Sequence, residues 1–363
     1  MFNEIIGLGN CGTQIIKELA SSNIANMKLF AIDSVLNHVE MNDMLNFDYK
    51  CIVSDESQGS GRDRSRGAAM FELHDENGEF DNIYEAASNA KSPVIVVTSA
   101  AGGTGSGSVV PLCKRLLEQE VSVIPVIIYP NDQDPMAYHL NANDLLIELG
   151  ELGILTYSIF VNPANTTDYT NINQEVVDLI HIILGRKYLP TKLDSIDDSD
   201  LNQIMSVPGR FIAFSVKAPD VPHMKKELAR KLCSGYQPNW TEKDASEYTF
   251  MEAFSLNSMF ASTEYEEVFA DIKSRIKKTF DEYKNVVDTT DGSIMEATVI
   301  VAGLPRHQVK EITSTFDEVK GISDGMKRST RPNFMGRKKP KPFVKRPANT
   351  SATDLVDKVN WDE

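Results

Sequence analysis

Thr98-Ser99-Ala100-Ala101-Gly102-Gly103-Thr104-Gly105-Ser106-Gly107-Ser108 joins a buried-strand pattern to a helix pattern through a stretch with almost no side-chain bulk. Before it, Pro93-Val94-Ile95-Val96-Val97 is the short β-branched run that a central parallel strand needs. After it, Val109, Val110, Leu112, Leu116 and Leu117 recur at roughly helical spacing. The glycines at 102, 103, 105 and 107 tolerate positive φ and carry no Cβ to keep a ligand off the backbone. Such a loop turns its N–H groups inward on an anion, with Thr104, Ser106 and Ser108 adding hydroxyl donors. A flexible surface turn is the plainer alternative. No Lys-Ser or Lys-Thr follows the glycines at the offset a Walker A loop requires, so that site is excluded.

With 363 residues, 41% of them hydrophobic, the chain has room for two domains and a tail. It contains no apolar run near twenty residues and no basic-then-apolar leader, which leads us to expect a soluble, cytoplasmic protein without membrane contact. Cys11, Cys51, Cys113 and Cys233 are scattered and form no CxxC pair, so neither a zinc site nor a disulfide framework is indicated. The net charge of −15 is unevenly spread. Nine Lys or Arg and no acid lie between Lys327 and Thr353, then four acids and one Lys close the chain. Residues after 326 thus carry +6 and the preceding residues −21. So acidic a body is a poor binder of duplex DNA, and the tail is the exception.

A second glycine pattern stands near the start. Asn3-Glu4-Ile5-Ile6 leads into Gly7-Leu8-Gly9-Asn10-Cys11-Gly12-Thr13-Gln14, and Ile15, Ile16 and Leu19 begin a helix. Asp33 follows about twenty residues on, at the end of Lys28-Leu29-Phe30-Ala31-Ile32. Alone, this strand, G-x-G-x-x-G turn, helix and acid match the fingerprint of a dinucleotide site, with Asp33 on the ribose.

The two glycine loops together point elsewhere. The central loop closely resembles the Gly-Gly-Gly-Thr-Gly-Ser-Gly signature of the tubulin and FtsZ superfamily, with Ala101 in place of the first glycine. The resemblance implies that Ala101, Gly102, Gly103, Thr104, Gly105, Ser106 and Gly107 wrap the phosphates of GTP. Gly9, Asn10, Cys11, Gly12 and Gln14 resemble the superfamily's first nucleotide loop, in which Cys11 is a small buried residue and not a nucleophile. A dinucleotide site spends one glycine loop on its pyrophosphate, whereas a GTP site with two converging loops accounts for both.

The same resemblance extends along the chain. Ile32-Asp33-Ser34 is similar to the second nucleotide loop, where an acid sits near the phosphates or their Mg²⁺. Gly59 and Gly61 match part of the Gly-Ala-Gly-Ala-Asn loop that faces the γ-phosphate in FtsZ-like proteins, and Arg62 or Arg64 can add positive charge there. A solvated turn is the alternative. Past the strand Val121–Ile128, Asp132 or Asp134 lies at the sheet edge where ligands gather and can take the ribose hydroxyls, although the region departs from the FtsZ Phe-Glu-Gly-x-x-Arg pattern. Asn162, after the strand 157–161, corresponds to the sixth loop that reads guanine. Asn173 falls near the start of what resembles the long central helix, in the base-contacting position; a cap or turn role is the alternative for each Asn.

Four aspartates crowd into Asp194–Asp200, which ordinarily means a solvated loop and a helix cap. Ser195-Ile196-Asp197-Asp198-Ser199-Asp200-Leu201 nevertheless overlays the FtsZ run Asn-x-Asp-Phe-Ala-Asp, with Ser195 replacing the Asn. Asp197 and Asp200 then resemble the catalytic pair that meets the nucleotide of the next subunit, so hydrolysis requires assembly.

Strand and helix patterns continue beyond 207, including a strand from Tyr248, a charged helix around Glu264 to Tyr283, the strand Ala297–Leu304 and a helix near His307 to Val319. From about Gly321 the Lys/Arg/Pro-rich chain lacks apolar periodicity and reads as disordered, with a short helix at 352–361. We expect an α/β protein with a tubulin/FtsZ-like parallel-sheet GTPase domain at 1–170 and a central helix and catalytic loop at 171–206. A smaller second α/β domain at 207–320 and a basic tail at 321–363 complete it. The implied function is a GTP-hydrolysing protein that polymerises head to tail, with Mg²⁺ as cofactor. It is nearest in kind to the plasmid and phage TubZ-like branch, which positions DNA. Residues 327–346 would then meet DNA or a DNA-binding adaptor. The FtsZ tail motif Asp-Ile-Pro-x-Phe-Leu-Arg-Arg is absent, which makes a cell-division role the alternative; an NAD-dependent oxidoreductase using 7–12 is the distant one.

Overall fold

In a computed structural model of the chain, Ile5 and Ile6 are neighbours, both fully buried, and belong to different cores. Successive side chains of a strand point to opposite faces. A strand covered on both sides therefore reads as an unbroken apolar run, and the runs at 94–97 and 123–128 behave the same way. The structure describes residues 3–22, 27–35, 46–53, 59–90, 93–131, 133–154, 156–161, 169–184, 198–233, 249–257, 262–275, 278–287 and 294–304.

The first half of the chain alternates strand and helix: β1 (Asn3–Leu8), α1 (Gly9–Ser21), β2 (Met27–Asp33), β3 (Asp48–Cys51), α2 (Arg64–Glu76), α3 (Asp81–Ser88), β4 (Val94–Ser99), α4 (Thr104–Glu118) and β5 (Val123–Tyr129). α5 (Met136–Glu151), β6 (Thr156–Val161), α6 (Thr170–Ile183) and α7 (Asp198–Met205) follow. The rest comprises β7 (Gly209–Ala218), α8 (Val221–Cys233), β8 (Thr249–Asn257), α9 (Ser262–Arg275), β9 (Lys278–Val287) and β10 (Met295–Leu304).

All ten strands join one sheet in the order β3-β2-β1-β4-β5-β6-β7-β10-β8-β9. The pairs from β3 to β7 are parallel, and β10 runs antiparallel to both β7 and β8. One core packs α1, α6, α8 and α9 on one face; the other packs α2 to α5 on the opposite face. This is the expected α/β layering. Sequence and structure differ over 264–287, and α3 has no counterpart in the sequence reading. The charged helix expected over 264–283 stops at Arg275, and Lys278–Val287 is a strand paired in parallel with β8 from Thr249↔Lys278 to Asn257↔Val287. Pairing along a whole neighbouring strand overrides the helix-favouring composition of the segment, as tertiary context commonly does for strands. The helix expected at 307–319, the basic tail and the helix at 352–361 lie outside the described residues.

Glu4 is an oddity of this core. It is 1% exposed on β1, opposite Lys28 of β2, and neither carboxyl oxygen has a hydrogen-bond partner among the described residues. Burial pushes its pKa from the ordinary 4.5 up to about 8, against a smaller pull downward from Lys28. The folded state therefore holds a proton that the unfolded chain releases. Its contribution is fully present below pH 4.5 and is lost as the pH rises toward 8, at up to about 1.4 kcal/mol per pH unit. We expect urea-unfolding midpoints that decline across that window, and a shallower decline in Glu4→Gln; parallel profiles would contradict this.

Candidate functional site

The strand order reverses between β1 and β4, since β2 and β3 extend one way and β5 onward the other. In open parallel sheets the crevice at such a point, beyond the carboxyl ends of the strands, is where ligands bind. Two helices start there. α1 begins at Gly9, directly after β1, and α4 begins at Thr104 behind Gly103. Neither N-terminus has a side-chain cap or an acid in its first turn, so the first N–H groups and the positive helix ends are left for an anion. Gly9 takes φ +68°, and a Cβ built on it would stand 2.9 Å from the Gly105 nitrogen. The two helix starts therefore nearly touch.

The central glycines play a different part from the one expected of them. A Cβ on Gly105 would lie 2.6 Å from both the Leu8 carbonyl and the Thr98 hydroxyl, and one on Gly107 would strike the Arg64 carbonyl and stand 2.7 Å from the Ala68 nitrogen. One on Gly103 would collide with Ser60 Oγ and come within 2.6 Å of the Asp63 nitrogen. These three allow helix-to-helix and helix-to-strand contact; Gly102 alone of the four faces open space. Gly12 likewise sits against the Val97 carbonyl, 2.6 Å from a built Cβ. The hydroxyls of Thr104 and Ser106 are also committed within the protein, while that of Ser108 is buried with no partner among the described residues. Thr104 Oγ1 donates to Ser60 Oγ at 3.0 Å and meets Ser34 Oγ at 2.6 Å, and Ser106 Oγ donates to the Gly102 carbonyl. Ser108 is buried one turn inside the helix. The donors left to a ligand are backbone N–H groups, not side chains.

Asp33 ends β2 at this edge, 2% exposed, with Oδ1 accepting from the Ser34 nitrogen at 2.7 Å. The chain Asp33, Ser34, Thr104, Ser60 thus ties β2 and the 59–63 segment to the first residue of α4. Gly59 and Gly61 take φ +84° and +62°, and the Gly59 nitrogen donates to the Ser34 carbonyl at 3.1 Å. Arg62 is exposed and lies over the Tyr138 ring, 5.0 Å from its centroid. Arg64, the other candidate cation, is spent: its guanidinium forks onto Glu148 with two 2.9 Å bonds and also donates to the Ser106 carbonyl. An Arg three residues past a glycine turn is as well placed to brace α2 against α5 as to meet an anion, and here it braces.

The other end of the crevice is formed by α6. Asn173 lies in its first turn, and its Oδ1 is buried without a hydrogen-bond partner among the described residues. Its side chain bonds Glu18 of α1, whose carboxyl is raised by burial and only partly lowered by that bond. Burial, followed by the neighbouring Asp134, Cys11 and Tyr138, raises the Tyr169 phenol, so these four groups share one neighbourhood. Burial pushes the Cys11 thiol up to about 12, which leaves it protonated and a weak nucleophile. Asn10 is exposed and accepts from Gln14 Nε2 at 3.3 Å. Asp134 Oδ2 accepts from the Asn131 nitrogen at 2.8 Å, which closes the turn before α5. Asp132 and Asn162 lie outside the described residues.

Asn141, absent from our sequence expectations, is the connecting side chain. Its Nδ2 reaches the carbonyls of Ala101 and Gly102 at 3.1 Å each and of Arg62 at 3.2 Å. The one sequence signal is that Asn141 and Asn143 interrupt the apolar spacing of α5.

Asp200 is half-buried in the first turn of α7, and Asp197 lies outside the described residues. α7 packs against β10 and β8. β10 is four strands from β4 in the sheet, about 19 Å at 4.8 Å per strand. Among the described residues no three His, Cys, Asp or Glu side chains come together as a metal site.

No protein-family model and no curated protein matches the chain. Solved structures do. CetZ2 from Haloferax volcanii, described as a GTPγS-bound protofilament, is 17% identical with a TM-score of 0.68, covering 89% of this chain and 100% of that one. TubZ from Bacillus thuringiensis serovar israelensis, as GDP-form protofilaments, is 15% identical with a TM-score of 0.68, covering 91% and 94%. FtsZ from M. jannaschii, an empty dimer, is 15% identical with a TM-score of 0.62, covering 83% and 88%. The chain has the fold of the tubulin/FtsZ superfamily.

Proposed function

We propose that this protein binds and hydrolyses GTP and polymerises head to tail, each subunit completing the hydrolytic site of its neighbour. The observation that carries the proposal is the meeting of two uncapped helix N-termini, α1 and α4, at the point where the strand order reverses. That arrangement suits a chain of phosphates. At the far end, the unpartnered Asn173 Oδ1 is an acceptor where a guanine presents N1–H and amino donors. Structures of like fold described as nucleotide-bound protofilaments add support.

The site residues divide accordingly. Backbone N–H groups of Gly102, Gly103 and the first turns of α1 and α4 take the phosphates, and Asn173 reads the base. Asp33 suits Mg²⁺ through its place beside Ser34 and Thr104. Mg²⁺ bound there would neutralise phosphate charge, and Asp33 would be the protein group to hold it, since Mg²⁺ ordinarily keeps phosphate and water ligands and needs no dedicated cage.

For hydrolysis, Asp200 and Asp197 of one subunit accept a proton from water and orient it in line with the γ-phosphorus of the nucleotide held by the next. The new P–O bond forms as the β–γ bridging bond breaks, and GDP and phosphate leave. The breadth of sheet between α7 and the crevice is the reason for assigning these groups to a neighbour. No helix among the described residues is long and apolar enough to cross a membrane. We assign the filament to positioning DNA in the cytoplasm, as in the TubZ-like branch, because residues 327–346 are basic and contain no acid while the body is acidic.

GTP-dependent light scattering and pelleting test the proposal directly. Polymer with GTP and none with NAD is the expected result; dinucleotide binding without GTP-dependent assembly would overturn it.

A further inference from the structure

Asn141 presents the two hydrogens of one amide nitrogen to three carbonyls from two separate loops, one hydrogen being shared between two of them. In a trans peptide the C=O and the following N–H point in opposite directions. Holding the Ala101 and Gly102 carbonyls toward α5 therefore turns the N–H groups of Gly102 and Gly103 the other way, away from α5. Neither N–H has a partner among the described residues, and Gly102 has no atom within 4 Å of where a Cβ would stand. The second lone pair of the Gly102 carbonyl is taken by the Ser106 hydroxyl, so that oxygen is fully occupied.

The third bond fixes the other loop. Arg62 takes φ +65°, a left-handed conformation that costs a non-glycine residue about 1–2 kcal/mol. Its backbone is held there by Asn141 on the carbonyl, while its guanidinium rests on Tyr138, three residues before Asn141 on the same helix. One turn of α5 thus grips the 59–63 segment twice and the glycine loop twice.

Resting on the GTP reading above, we propose that Asn141 is a positioning residue for the phosphates: it withdraws the carbonyl oxygens of Ala101, Gly102 and Arg62, so that the bound anion meets the N–H groups of Gly102 and Gly103. It touches no nucleotide itself. An aspartate there keeps the shape but sets a carboxylate against three carbonyl oxygens, none of which it can accept from, and they are expected to turn.

The test is calorimetric titration of the full chain and its Asn141→Asp variant with GMP, GDP and GTPγS. The variant is expected to lose about 10- to 100-fold in affinity for GTPγS, less for GDP and least for GMP. Equal losses for all three, or no loss, would overturn the positioning role, because general damage to the fold does not count phosphates. Asn141→Ala serves in the same titration if Asn141→Asp fails to fold, with the same graded loss expected. A parent chain that binds none of the three nucleotides would instead sink the GTP reading, and this inference with it.

Discussion

Asp200→Ala is expected to assemble with GTP and to stop releasing phosphate. Its carboxylate sits in the first turn of α7, about four strand spacings from the crevice where the two helix N-termini meet. Nucleotide binding within one chain should not register its loss. Turnover should, because a positioned base contributes about 10²- to 10⁴-fold to a proton-transfer step. Nucleotide affinity within a few-fold of the parent, GTP-dependent pelleting intact and phosphate release down by at least about a hundredfold is the signature. Equal turnover by variant and parent would remove Asp200 from the mechanism.

Gly105→Ala is expected to do the opposite, losing binding and much of the stability together. The added methyl would lie 2.6 Å from the Leu8 carbonyl and 2.6 Å from the Thr98 hydroxyl, and 3.2 Å from the Leu8 carbonyl carbon. Backbone on β1 cannot swing aside as a flexible side chain can. Either α4 moves off the sheet or β1 shifts, and both displace the helix N-termini from each other. Overpacking of this kind costs about 1–3 kcal/mol, and strain at a junction of four elements belongs at the upper end. A lowered urea midpoint with no measurable GTPγS binding is expected. Parent-like stability and binding would show that the close approach of α1 and α4 is not what forms the site.

Much of the architecture was legible because parallel strands buried on both faces leave continuous apolar runs, as at 94–97 and 123–128. Two glycine loops following two such strands located the crevice. What each glycine does there was not legible. Glycine permits close approach of a ligand and of the protein's own backbone equally, and only the packed structure separates Gly102, with open space, from Gly103, Gly105 and Gly107, which are filled by neighbours. Hydroxyls posed the same difficulty. Thr104 and Ser106 look like ligand donors in sequence, yet partners 70 and 44 residues away from Thr104, and the Gly102 carbonyl above Ser106, have claimed them. Arg64 is hidden by its contact with Glu148, 84 residues on, and Asn141 by carbonyls about 40 and 79 residues back. The end of α9 at Arg275 was missed because the strand that follows exists only through its pairing with β8.

In the proposed mechanism the nucleotide is held by one molecule and cut by groups of another. Steady-state phosphate release, measured per molecule across a dilution series at saturating GTP, tests it most directly. Near-zero turnover below the concentration at which polymer forms, with a steep rise above it, is the expected result. A rate per molecule that stays constant down to dilutions where only monomer is detected would contradict it.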